Sequence, residues 1–256
     1  MTLGDGAIGI AIGLVSGLLA GLFGIGGGIL MTPGIQVFLG APPIIALATP
    51  LPAIFPTALV GALAYRRGGE LDTRAAAWLA GPGLVSASLG AWLTDHVDTT
   101  LLLLATALLL GWQAVAIIRD ARRPGRREPR EATVPILGGI GAVAGFVSGL
   151  LGIGGGLVMV PLLAGWLGMP LKRALGTSLL VIVALVVPGT IVHSALGHID
   201  WGICLALVVG GIPGARLGAA LALGAKERTL RLAVGGGLLA ISVAYAVDQA
   251  TGMLSH

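Results

Sequence analysis

The groups best placed to do chemistry in this chain belong to the backbone rather than to side chains. Gly24-Ile25-Gly26-Gly27-Gly28 interrupts an apolar stretch, and the same five letters return at Gly152-Ile153-Gly154-Gly155-Gly156. Glycines that break a helix free several N–H groups at the start of the short helix beginning near Ile29 or Leu157. There the positive end of the helix dipole can hold an anion. The competing reading is purely structural, because glycines also let helices cross closely. Recurrence of the cluster favours a paired anion site made of Gly24, Gly26, Gly27, Gly28, Gly152, Gly154, Gly155 and Gly156.

A few side chains join these glycines as candidates. Thr49 and the pair Thr177, Ser178 lie six or seven residues into the long apolar span that follows each cluster and its short apolar stretch. Their hydroxyls can face the glycines and bond a ligand, or bond the carbonyls of their own helix. Arg216, in Pro213-Gly214-Ala215-Arg216-Leu217-Gly218, is the only base inside an expected span away from its first turn. An intramembrane cation is a functional candidate by default, although Arg216 lies about two turns from a span end, within reach of the interface by snorkelling.

Other chemistries are poorly supported. Gly4-Asp5-Gly6-Ala7-Ile8-Gly9 matches G-x-G-x-x-G but follows no strand, and neither cluster continues into the Lys-Ser/Thr of a phosphate loop. The four histidines, His96, His193, His198 and His256, have no spacing that puts three ligands on one helix face. His193 is the one proton-coupling candidate. Ser194 beside it makes no triad, since adjacent residues point apart. Cys204 is alone and reads as packing. No enzyme, metal or cofactor is expected.

The elements that position these groups come in duplicate. At a constant offset of 128, Gly17 pairs with Gly145, Gly21 with Gly149, Pro33 with Pro161, Thr49 with Thr177 and Asp72 with Asp200. The chain divides into repeats at 1–118 and 134–256, joined by a linker at 119–133. With 56% hydrophobic and 10% charged residues, and a mean hydropathy of +1.00, it has too little polar surface for a water-soluble globule. The apolar runs suit membrane-spanning helices of about 20 residues. The first half reads as Ala7 to Phe23, the cluster, Ile29 to Leu39, then spans near Pro43 to Tyr65, Ala75 to Thr94 and Thr99 to Ile118. The second reads as Val134 to Leu151, the cluster, Leu157 to Leu167, then Leu171 to Val192, Trp201 to Leu223 and Leu230 to Val247. The segment 1–30 lacks the basic start of a signal peptide and recurs internally, so it is read as mature structure.

Charge sets the orientation. Bases of the first half lie at Arg66, Arg67, Arg74 and in the linker, which holds six arginines from Arg119 to Arg130; those of the second lie at Lys172, Arg173, Lys226, Arg228 and Arg231. Only an inverted second half puts all of them on one, cytoplasmic, face. Inversion needs an odd number of crossings per half, which suits a hairpin folded at each glycine cluster with arms of about 25 Å and 17 Å; two full crossings there keep the count odd as well. The expectation is an all-α polytopic membrane protein of two inverted-topology repeats. Each has a broken or re-entrant helical hairpin and three full spans, with both termini outside.

The two G-x-G-G-G clusters each followed by a proline, the Gly176-Thr177-Ser178 run and the Pro-Gly-Ala-Arg-Leu-Gly segment resemble the TauE/SafE family of sulfite exporters over nearly the whole chain. The resemblance implies a prokaryotic inner-membrane exporter of sulfite or organosulfonates such as sulfoacetate. The halves depart from each other where Pro50 aligns with Ser178 and Ser88 with Arg216. The expected function is a secondary transporter of small sulfur-containing anions. An anion channel, or a membrane scaffold docking through the Arg-rich loop, is the alternative. The expected partners are a small anionic substrate and membrane lipid, without nucleic acid, and a homo-oligomer is compatible with the sequence.

Overall fold

The structure is a computed structural model that describes residues 3–94, 96–97, scattered positions within 101–119, and 131–254. Residues 120–130 of the linker and much of the expected span at Thr99 to Ile118 lie outside the described residues, as does His256. All regular elements described are helical, and six of them are long and apolar enough to cross a membrane.

The first hairpin is α1 (Leu3–Phe23) and α2 (Gly28–Leu39). Its long arm has 21 residues rather than the expected 17 or so, because the helix reaches back through Gly4 and Gly6 with Asp5 in the first turn, where a carboxylate favours the dipole. The 12-residue α2 ends at Gly40, which is left-handed at φ 63 and returns its amide to Ile35. Next come α3 (Pro43–Ala48), α4 (Pro50–Arg67) and α5 (Thr73–Thr94). The break at Thr49 follows from Pro50 and Pro52, which have no amide to continue the helical bonds.

The second half repeats this order as α6 (Val134–Leu151), α7 (Gly156–Val160), α8 (Leu171–Ala195), α9 (Trp201–Gly224) and α10 (Glu227–Leu254). Between α7 and α8, Pro161–Trp166 winds as a π-helical turn, a wider coil, whereas the counterpart Pro33 lies inside the regular α2. α8 is continuous over 25 residues where its counterpart is split into α3 and α4, since Ser178 stands where Pro50 does. Asp72 and Asp200 cap α5 and α9, accepting the amides of Ala75 at 2.9 Å and Ile203 at 3.0 Å.

Glycines decide which helices meet. A side chain at Gly13, Gly17 or Gly21 of α1 would fall on the backbone of Leu207, Gly211 or Ala215 of α9. A side chain at Gly141, Gly145 or Gly149 of α6 would fall on that of Leu79, Gly83 or Ala87 of α5. Partner numbers rise together, so both pairs run parallel. Each contact in one set is a contact in the other with both partners shifted by 128. The hairpin arm of each half is therefore seated on a helix of the other half, backbone against backbone, as small-residue faces permit. The closest helix packing crosses the boundary between the repeats.

α4 and α8 pack at the centre, with Gly61 against Leu179 and Gly189 against Leu51, so these equivalent helices run antiparallel. Outward-facing residues such as Phe38, Trp78, Val85, Leu89, Ile191 and Leu205 are large, apolar and exposed, a surface suited to lipid.

Candidate functional site

The two glycine clusters are left-handed turns of the same shape. Gly24, Gly26 and Gly27 have φ of 68, 83 and 87, and Gly152, Gly154 and Gly155 have φ of 66, 84 and 74. A side chain at positive φ is disfavoured by its own Cβ, so each cluster uses glycine where the turn demands it. The turns end α1 and α6 and start α2 and α7 with Gly27 and Gly155 as N-caps.

These tips touch. A Cβ on Gly28 would stand 3.1 Å from the Gly152 carbonyl oxygen and 3.2 Å from the Ile153 Cα. A Cβ on Gly156 would stand 2.5 Å from the Gly24 carbonyl oxygen and 2.7 Å from the Ile25 Cα. Ile182 covers both tips, 3.1 Å from such an atom on Gly26 and 3.0 Å from one on Gly154, and Ile54 covers the first from the other side. Ile54 is the twelfth residue of the 25-residue span Pro43–Arg67, and Ile182 the twelfth of Leu171–Ala195. The tips thus meet halfway along two antiparallel helices, and every residue of both clusters is buried.

The electrostatics are one-sided. The first amides of α2 and α7 precede any intrahelical bond, while Leu30 and Met31 return to the Gly27 carbonyl and Val158 and Met159 to that of Gly155. The Gly24 carbonyl is occupied by the Ser178 hydroxyl at 2.8 Å. Two positive helix ends, worth about half a charge each, therefore converge in the interior. Among the described residues no carboxylate is buried to balance them.

The side-chain candidates separate. Ser178 reaches the first tip through Gly24. Thr49 and Thr177 are fully buried but serve the framework: Thr49 Oγ1 accepts the Asp200 amide and Thr177 Oγ1 the Asp72 amide, each at 3.1 Å. Arg216 is exposed on the outer face of α9, away from the buried tips, because Ala215 and Gly218 take the face against α1. Its counterpart Ser88 is also exposed and bonds the Leu84 carbonyl at 3.0 Å. His193 Nδ1 lies 3.2 Å from His198 Nδ1, at the position where the other half has Tyr65 donating to the Gly21 carbonyl at 2.9 Å. At the end of α8, Lys172, Arg173 and Lys226 share an open cleft of about 430 Å³ with Glu70 and Glu227. Lys172 Nζ is held there by the Leu223 carbonyl at 2.6 Å.

Three buried hydroxyls escaped the sequence reading: Ser16, Thr32 and Ser148. None has a hydrogen-bond partner. In sequence they look like any serine or threonine in an apolar helix, which normally bonds a carbonyl of the preceding turn.

Two broken helical hairpins meeting tip to tip inside a bundle of apolar helices define a polytopic helical membrane protein with buried backbone turns at its interior. The chain belongs to the Sulfite exporter TauE/SafE family, whose sequence profile matches residues 9–245. It is 32% identical to the probable membrane transporter protein YunE of Bacillus subtilis over 239 residues, covering 83% of this chain and 86% of that one. It is likewise 32% identical over 251 residues to a probable membrane transporter protein of Xylella fastidiosa strain Temecula1, covering 95% of this chain and 92% of the relative. No solved structure matches the chain.

Proposed function

We propose that this protein is a secondary transporter that exports small sulfur-containing anions, sulfite or organosulfonates such as sulfoacetate, and that it is not an enzyme. The observation that carries the reading is the contact between Gly28 and Gly152 and between Gly156 and Gly24, which brings two helix N-termini together in a buried centre, with no buried carboxylate among the described residues. Such a centre favours an anion. The family's description as sulfite exporters supports the choice of anion, and the relatives' names support transport.

The two halves act as an inverted repeat in the inner membrane, with the Arg-rich linker in the cytoplasm and both termini outside. Access alternates as one half rocks on the other. The antiparallel course of α4 and α8 supports this arrangement. An inside-negative potential drives anion export, at about 2.3 kcal/mol per charge per 100 mV. The closed packing of Ile54 and Ile182 over the tips favours a gated carrier over a channel.

Purified protein in proteoliposomes tests this reading. Saturable counterflow of radiolabelled sulfite or sulfoacetate is expected, abolished by Gly27→Leu or Gly155→Leu. Absence of flux for every sulfur oxyanion tried, or non-saturating single-channel current, overturns it.

A further inference from the structure

Nine buried polar side chains can be named among the described residues, and five of the eight hydroxyl-bearing ones are satisfied. Thr57 bonds the Ala53 carbonyl at 2.8 Å, Thr94 that of Gly90 at 3.0 Å, and Ser178 that of Gly24 at 2.8 Å. Thr49 and Thr177 accept backbone amides. The unsatisfied remainder is Ser16 at 1% exposure, Thr32 at 3% and Ser148 at 1%. All three lie on hairpin arms: Ser16 on α1, Thr32 on α2 one turn past Gly28, and Ser148 on α6 one turn before Gly152. Buried hydroxyls without partners are rare, and each calls for a physical reason.

Their placement supplies one. A Cβ on Gly155 would stand 3.1 Å from the Ser148 Cβ, so this side chain is directed at the N-cap of α7. A Cβ on Gly27 would stand 3.2 Å from the Ser16 carbonyl oxygen and 3.3 Å from the Ala20 Cβ. Residues 16 and 20 are the counterparts of 144 and 148 at the 128 offset. Each N-cap therefore rests on two turns of its long arm: the side chain against it is that of Ser148 in the second half and of Ala20 in the first, where Ser16 presents its carbonyl.

We propose that Ser16, Thr32 and Ser148 are side-chain donors to an oxyanion held between the two hairpins, and that they select a head with three acceptor oxygens over a carboxylate. This rests on the transporter reading only for the position of the site. Donors approach from both hairpins, so a pyramidal or tetrahedral sulfur head can direct oxygens to both at once. A planar carboxylate has two oxygens on one side and satisfies one hairpin. The donors are neutral hydroxyls and amides, which stabilise the charge without a buried cation whose desolvation would have to be offset. Because Ile54 and Ile182 close over the tips, they withdraw when the anion enters.

The test is thermal stabilisation of the full-length protein in lipid nanodiscs by sulfite, methanesulfonate and acetate at equal ionic strength. Sulfite and methanesulfonate are expected to raise Tm and acetate not. Ser16→Ala, Thr32→Val and Ser148→Ala are each expected to weaken sulfonate binding about tenfold or more, the worth of a hydrogen bond to a charged group. Their ligand-free Tm is expected to stay the same, since no bond is lost, and Thr32→Ser is expected to restore binding. Absence of any anion-dependent shift in the wild type, or unchanged affinity in all three variants, overturns the proposal. So does acetate binding as tightly as methanesulfonate. Binding without flux in proteoliposomes would sustain this inference and remove the transporter reading. Flux with an unaltered KM in all three variants would do the reverse.

Discussion

Thr49 Oγ1 stands 3.1 Å from the backbone nitrogen of Asp200, and the same bond is made in the other sense by Thr177 and Asp72. Each half thus holds the first amide of a helix cap in its partner half. Asp200 in turn caps α9, the helix on which α1 is seated, and Asp72 caps α5, on which α6 is seated. The two threonines tie the exchanged hairpins to the central α4 and α8.

Removing either acceptor leaves a partly buried amide unsatisfied. Thr49→Val and Thr177→Val are each expected to destabilise the protein by about 1–3 kcal/mol, while Thr→Ser at either site retains most of the stability. Thermal melts of detergent-purified protein measure this, and an unchanged Tm in both valine variants contradicts the assignment.

Helix exchange makes neighbouring glycines unequal. A Cβ at Gly145 would collide with the Gly83 backbone, whereas one at Gly139 meets nothing within 4 Å. Gly145→Ala is expected to cost about 1–3 kcal/mol or more, as overpacking does, and Gly139→Ala to be neutral or stabilising by up to about 1 kcal/mol through helix propensity. Fluorescence-detected size exclusion after a temperature ramp separates the two.

Backbone strain can be separated from loss of the site. Gly27, Gly155 and Gly40 all have positive φ, at 87, 74 and 63, but Gly40 caps α2 far from the tips with open space around it. Alanine at any of them costs about 1–2 kcal/mol from strain, and at Gly155 more, because its Cβ would stand 2.6 Å from the Ala144 carbonyl oxygen. Only Gly27→Ala and Gly155→Ala are expected to lose sulfite flux; equal loss in Gly40→Ala would mean that instability, not the site, is being measured.

The orientation has a direct readout. With Cys204, the sole and buried cysteine, replaced by alanine, Lys226→Cys is expected to react with impermeant maleimide only from the cytoplasm. Leu196→Cys, 49% exposed at the other end of α8, is expected to react only from outside. Labelling of both from one side, or with the sides reversed, contradicts the proposed orientation of the second half.

Much of this architecture is legible in the letters alone, because its causes are local. The apolar runs predict spans by transfer from water; four of the six long apolar helices overlie expected spans, and the other two, Gly4–Phe23 and Val134–Leu151, are the long arms expected of the hairpins. The repeat at offset 128 is a property of the string, and the glycine clusters announce positions where φ must be positive. The split at Pro50 follows from missing amides, whereas the π-helical turn at Pro161 does not, since its counterpart Pro33 lies inside the regular α2; the length of the α1 arm likewise did not emerge from the hydropathy of its first residues.

The remaining features depend on partners far apart in the chain. Thr49 meets Asp200 across 151 residues and Ser178 meets Gly24 across 154, and no local spacing encodes either pairing. Arg216 and Ala215 are adjacent letters, yet one faces outward and the other is pressed on Gly21, because helix rotation is settled by which glycine face finds a backbone to touch. The sequence by itself determined a duplicated, glycine-hinged membrane protein. Only the tertiary structure decided that the halves exchange hairpins, that the tips meet, and that Ser16, Thr32 and Ser148 are left without partners. A hydroxyl's satisfaction depends on whatever packs against it, and that is known only once the chain has folded.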